Sequence, residues 1–129
     1  MAALKKRYYP KIAEEVYLAT LDNGMSLSII KKKGFIEKAA FLSTNFGALD
    51  NRFYIDGKLQ TYPAGIAHFL EHKLFEDDQG RDVTLDFVKL GADVNAFTTL
   101  DRTTYYFSTI DHFEAVSYTH LTLPTKLEV

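Results

Sequence analysis

The chain of 129 residues contains no cysteine. That removes disulfides, thiolate nucleophiles and cysteine-based metal sites, and it fits a reducing compartment. No apolar run reaches membrane-spanning length. The basic residues of Met1–Pro10 are followed by no apolar segment, so the start does not read as a secretory signal. An excess of charge of one sign is also lacking. A formal net charge of −2 gives no reason to expect nucleic acid or an anionic membrane as a partner. What remains, 47% hydrophobic and 25% charged residues, is the composition of an ordinary soluble globular protein. The length suits one small domain with a modest core, and the cytoplasm is the expected location.

Met1–Ala13 reads as an arm. Val16–Leu21 and Met25–Lys31 are expected strands around Asp22-Asn23-Gly24, a strong tight-turn signal. In the second strand Met25, Leu27 and Ile29 alternate with Ser26 and Ser28, as a half-buried strand requires. Lys38–Phe46 reads as a third strand, with Ala40, Leu42 and Phe46 on one face. Gly47–Pro63 carries turn residues and is long for a connection, which predicts a covering or functional loop. A helix follows over Ala64–Phe75, and then an acidic loop, Glu76–Gly80, without the ligand spacing of a calcium site. Asp82 can cap a second helix marked by Val83, Phe87 and Leu90, with Gly91 placed to end it. Asp93–Thr99 and Thr103–Thr109 read as two strands rich in Thr, Tyr and Phe. The sequence therefore predicts an α+β domain, a largely antiparallel sheet with helices packed on one face.

Only one stretch couples residue types and spacing to a reaction. In His68-x-x-Glu71-His72 the two imidazoles are one helical turn apart, the separation at which both reach one metal ion. With Ile66 at zero and steps of 100°, Glu71, His68 and His72 fall at about 140°, 200° and 240°. Ile66, Leu70, Leu74 and Phe69 fall at about 0°, 40°, 80° and 300°. This predicts an apolar stripe on the core and a titratable stripe facing a site, with Lys73 snorkelling out of the apolar side. His68 and His72 are the expected Zn²⁺ ligands. Glu71, too far round the helix to share their position, is the expected general base for a metal-activated water. Two histidines that merely face solvent are the plain alternative, disfavoured by the joint spacing.

His-x-x-Glu-His is the inverzincin signature. Gly65–His72 resembles the helix of the pitrilysin/insulysin family of zinc metallopeptidases, which includes the mitochondrial processing peptidase. Gly91-Ala92-Asp93-Val94-Asn95-Ala96-Phe97-Thr98, continuing to Asp101, Thr103 and Tyr105, is similar to that family's substrate-side strand and the strand after it. Asp50-Asn51 with Phe53 looks most like the Gram-positive bacterial branch. The resemblance runs from about Val16 to Phe107. It implies a metallohydrolase fold of the mitochondrial processing peptidase type, here truncated, and an endopeptidase acting on peptides or small unfolded proteins. It also implies that Asn95, Ala96 and Phe97 bind substrate on an edge strand, where an extended peptide can add by main-chain hydrogen bonds. Taken alone, that strand would pass for plain sheet.

Other readings stay open. One is a non-catalytic peptide-binding subunit in a homo- or hetero-dimer with a related chain, against which the intact His68, Glu71 and His72 argue. Another is an S-ribosylhomocysteine lyase-like enzyme, disfavoured by the lack of cysteine and by the second motif. The resemblance further implies a third ligand, a Glu roughly 70–80 residues beyond the helix, and the chain stops at Val129 before reaching it. Glu76 and Glu114 are poorly placed to substitute. Val116–Thr125 reads as the translation of a transposase-based sequencing adapter. Residues 1–115 are thus expected to be a partial N-terminal peptidase domain and 116–129 to be non-native, with His120 irrelevant to the metal. A polypeptide lacking that ligand is expected to show little or no turnover.

Overall fold

The computed structural model describes residues 3–121. The chain divides into two compact units, Met1–Phe35 and Ile36–Val129. In the first unit, β1 (Lys5–Tyr9), β2 (Glu14–Thr20) and β3 (Ser26–Ile30) form an antiparallel sheet in the order β1-β2-β3. Gly24, at φ 84°, makes the β2–β3 turn. Its N–H bonds the Leu21 carbonyl at 2.8 Å, while Asn23 Oδ1 accepts from the Met25 N–H at 3.0 Å. The expected hairpin is therefore present, although Met25 and Ile29 stay exposed and only Leu27 of the alternating set is half-buried.

The arm expected over Met1–Ala13 is corrected. Lys5–Tyr9 pairs with β2 over its whole length, from Lys5 opposite Leu18 to Tyr9 opposite Glu14. Four of its five side chains are exposed, so the ladder holds this strand rather than an apolar face. A Lys6–Glu15 ion pair at 2.5 Å adds a cross-strand contact.

In the second unit, β4 (Lys38–Thr44), β8 (Thr103–Thr109) and β7 (Ala92–Thr98) form an antiparallel sheet in the order β4-β8-β7. Register places Ala40, Phe107 and Val94 side by side. Because side chains alternate across a strand, Ala92, Val94, Ala96 and Thr98 share one face with Thr103, Tyr105, Phe107 and Thr109. That face carries α1 (Ile66–Lys73), α2 (Thr84–Lys89) and α3 (Phe113–Leu121). Phe87 from α2 and Val116 from α3 are fully buried against Phe107 and Ala92, and this is the core. The opposite face bears Phe41 stacked on Tyr106 at 5.4 Å and Phe97 at 6.1 Å from the same ring. Helices on one face of an antiparallel sheet is the architecture the sequence predicts.

The loop expected over Gly47–Pro63 is also corrected. It contains a hairpin of β5 (Arg52–Ile55) and β6 (Lys58–Thr61), turned at Asp56 and Gly57, which both have positive φ. Phe53 stacks on Tyr62 at 5.2 Å and meets Phe46 edge-on at 5.4 Å. Before the hairpin, Gly47 is buried against the β7–β8 turn, and Ala48 and Leu49 donate to the Thr99 and Leu100 carbonyls at 2.8 and 3.0 Å. Asp82 Oδ1 accepts from the Thr84 N–H at 2.9 Å just before α2, and Gly91 ends that helix at φ 70°. No helix among the described residues is long and apolar enough to cross a membrane. Of the segment read as adapter, residues 122–129 lie outside the described residues, whereas Val116 sits in the core.

Candidate metal centre

Gly65 starts α1. Its left-handed φ of 88° lets the chain turn sharply after Pro63, and its carbonyl accepts the first helical bond, from Phe69 N–H at 2.9 Å. The helix is shorter than expected, since Leu74 is already the cap and Phe75 lies beyond it. Lys73 points outward and pairs with Glu76 at 2.6 Å.

The buried arc of α1 differs from the one the sequence predicts. Ala67 is 1% exposed and Glu71 8%, whereas Phe69 is 57% exposed. On the helical wheel Ala67 falls at about 100°, between Leu74 and Glu71, so the arc facing the sheet runs from Leu70 to Glu71. Small Ala67 brings the helix close to the strands, which carries Glu71 underneath it. Phe69, on the far side, is left out.

His68 and His72 remain exposed, and their rings converge. Nε2 of His68 lies 3.1 Å from Nε2 of His72, with ring centroids 4.8 Å apart. Two nitrogens on one tetrahedral zinc at 2.0–2.1 Å stand about 3.3 Å apart. The pair therefore fits a common ion with little movement. One ligand atom from each of His68, Glu71 and His72 lies within 4.8 Å of the others. Among the described residues, the structure brings these three predicted site residues together and gathers no other metal-ligating cluster.

Below the helix, Thr98 Oγ1 donates a hydrogen bond to Glu71 Oε2. Thr98 stands opposite Thr103 in the ladder, with their hydroxyl oxygens 3.4 Å apart. Thr103, itself 2% exposed, donates to the Phe46 carbonyl at 2.8 Å. Burial, and then the charge of Glu71, push the Tyr105 phenol up to about 12, so it stays protonated at neutral pH. Glu71 and His72 open into a cleft of about 400 Å³ whose lining includes Phe75, Val94 and Asn95.

The predicted substrate residues lie on β7, the edge strand of this sheet among the described residues. Only Ala96 shares the face of α1; the side chains of Asn95 and Phe97 point to the other face. Asn95 Oδ1 accepts from the Ala96 N–H at 2.8 Å. Thr98 and Thr103 were not legible as site residues in the sequence. A signal existed in the alternation, which places Thr98 on the same face as Val94 and Ala96, yet the partner across space was invisible.

The model of a peptidase family described as insulinase, M16, matches residues 59–116. The chain is 44% identical over 113 residues to the uncharacterized zinc protease YmfH of Bacillus subtilis, covering 86% of the chain and 26% of YmfH. Its structure is similar to that of an M16-like peptidase from Alicyclobacillus acidocaldarius, with TM-score 0.76 and 37% identity over 85% of this chain and 26% of that one. It is also similar to pitrilysin, with TM-score 0.60 over 84% of this chain and 12% of pitrilysin. At 21% identity that likeness speaks to the fold alone. The chain spans about a quarter of the length of YmfH and of the Alicyclobacillus acidocaldarius peptidase.

Proposed function

The chain belongs to the insulinase family of peptidases, M16, and on that premise we propose that it is part of a zinc-dependent endopeptidase acting on peptides or small unfolded proteins. The observation that carries this reading is the convergence of two imidazoles, 3.1 Å apart, beside a buried carboxylate. His68 and His72 hold the metal through Nε2. Bound there, zinc supplies Lewis acidity, which polarises a peptide carbonyl and acidifies water.

This chain's residues do the rest. Thr98 engages Oε2 of Glu71, which leaves Oε1 to take a proton from the attacking water and return it to the leaving amine. The edge of β7 at Asn95, Ala96 and Phe97 receives the substrate as an added strand, so main-chain bonds give affinity with little demand on sequence. Catalytic zinc takes three protein ligands. With Glu71 reserved for proton transfer, we assign the third, a Glu, to the part of the protein that this chain does not span. The 129 residues alone then show little or no turnover. A partner subunit that only binds peptides has no use for converging imidazoles beside a buried carboxylate.

The test is made on the full-length protein carrying this chain, by zinc content and by cleavage of a quenched peptide. Glu71→Gln should retain zinc and lose activity by about 10²–10⁴-fold. A variant that cleaves as fast as the parent overturns the assignment.

A further inference from the structure

Resting on that reading of the metal site, we propose that Thr98 is a positioning residue: its hydroxyl holds Glu71 back from the metal and so fixes the carboxylate as a proton acceptor rather than a third ligand. A carboxylate is as able to ligate zinc as to serve it as a base. Glu71 is placed for both: the expectation that it lies too far round the helix to ligate is corrected, because its ligand atom lies within 4.8 Å of the two imidazole nitrogens. Something must select between these roles, and the selection has to come from a contact on the side away from the imidazoles.

Thr98 provides it. Its Oγ1 donates to Glu71 Oε2 from the strand beneath the helix, and the carboxylate is held in a setting where only 8% of the residue is exposed. Thr98 is in turn well held. A β-branched side chain in a strand has few rotamers. Its neighbour Thr99 is pinned through its carbonyl by Ala48 N–H at 2.8 Å and through its own N–H by the Arg102 carbonyl at 2.8 Å. Thr103 gives its proton to the Phe46 carbonyl, an acceptor that cannot donate back. The single Thr98 proton is therefore directed at Glu71, and the 3.4 Å contact with Thr103 leaves it there.

Zinc titration of the 129-residue chain by calorimetry reads the two roles apart. Zinc binding should depend on His68 and His72, and Glu71→Gln should leave the dissociation constant within about twofold, because Glu71 is not a ligand. Thr98→Val should tighten zinc binding by about tenfold, as the released carboxylate joins the ion as a third protein ligand. In the Glu71→Gln background the same change should do nothing, and Thr98→Ser should behave as wild type. A purely structural role would weaken binding alike in both backgrounds. The proposal is overturned if Thr98→Val fails to tighten binding. It is equally overturned if Glu71→Gln alone weakens binding tenfold or more, a result that does not depend on the valine variant folding. If no zinc binding depends on His68 and His72, the metal site itself falls, and this inference with it.

Discussion

Replacing Gly47 with alanine should unfold the second unit far more readily than its modest chemistry suggests. A Cβ at Gly47 would lie 2.4 Å from the Arg102 nitrogen and 2.6 Å from both the Asp101 nitrogen and the Leu100 oxygen. All three are backbone atoms, so no side chain can swing aside. Restoring an ordinary contact requires the β7–β8 turn to withdraw by about 1 Å, at an overpacking cost of about 1–3 kcal/mol. Withdrawal also stretches the Ala48–Thr99 and Leu49–Leu100 hydrogen bonds, each contributing about 1 kcal/mol. The total is about 3–5 kcal/mol, which for a unit of this size lowers the melting temperature by about 15 °C or more. Gly24→Ala is the control. Gly24 has a positive φ of 84° but nothing within 4 Å of the new Cβ, so it loses only the left-handed penalty of about 1–2 kcal/mol. Far-UV circular dichroism on heating reads both variants. A Gly47→Ala chain melting within about 3 °C of wild type would refute the close-approach argument.

Three further outcomes are expected. Phe87→Ala empties the centre of the core, where Phe87 is 0% exposed, and should cost about 3–5 kcal/mol in urea unfolding. Arg81→Ala should separate Asp86 from Asp77 in a carbon-13 carboxyl titration. Both are held below the usual carboxylate range, Asp86 chiefly by the Arg81 side chain and Asp77 chiefly by the Arg81 backbone N–H, so Asp86 should recover more of its ordinary value. Depressed carboxylates contribute stability above the unfolded pKa of about 4, and it is lost as pH falls through the folded value. Tyr105→Phe should remove a transition near pH 12 from an alkaline absorbance titration. With its phenol pushed up to about 12, wild-type Tyr105 contributes stability below pH ~10 that fades as pH rises through that value.

What the sequence disclosed follows from how local each signal is. Asp22-Asn23-Gly24, Asp82 and Gly91 act on backbone within two or three residues of themselves, and each marks a turn or helix end where the structure has one. Lys5–Tyr9 has no apolar periodicity, because its strand is held by ladder bonds while four of five side chains face outward. The β5–β6 hairpin carries an Asp56-Gly57 turn, yet its four-residue strands are too short to display alternation. At the site, the spacing of His68, Glu71 and His72 needs only helical geometry and was readable. The burial of Glu71 depends on Ala67 letting the sheet approach, and the Thr98 contact joins residues 27 positions apart. Neither has a local signature.

Whether His68 and His72 together bind one zinc ion is read by imidazole nitrogen-15 resonances followed through a zinc titration. Nε2 of both residues should shift along one saturation curve, and His68→Ala should abolish the shift at His72. Independent curves, or a His72 response that survives the loss of His68, would mean that the two imidazoles do not share an ion.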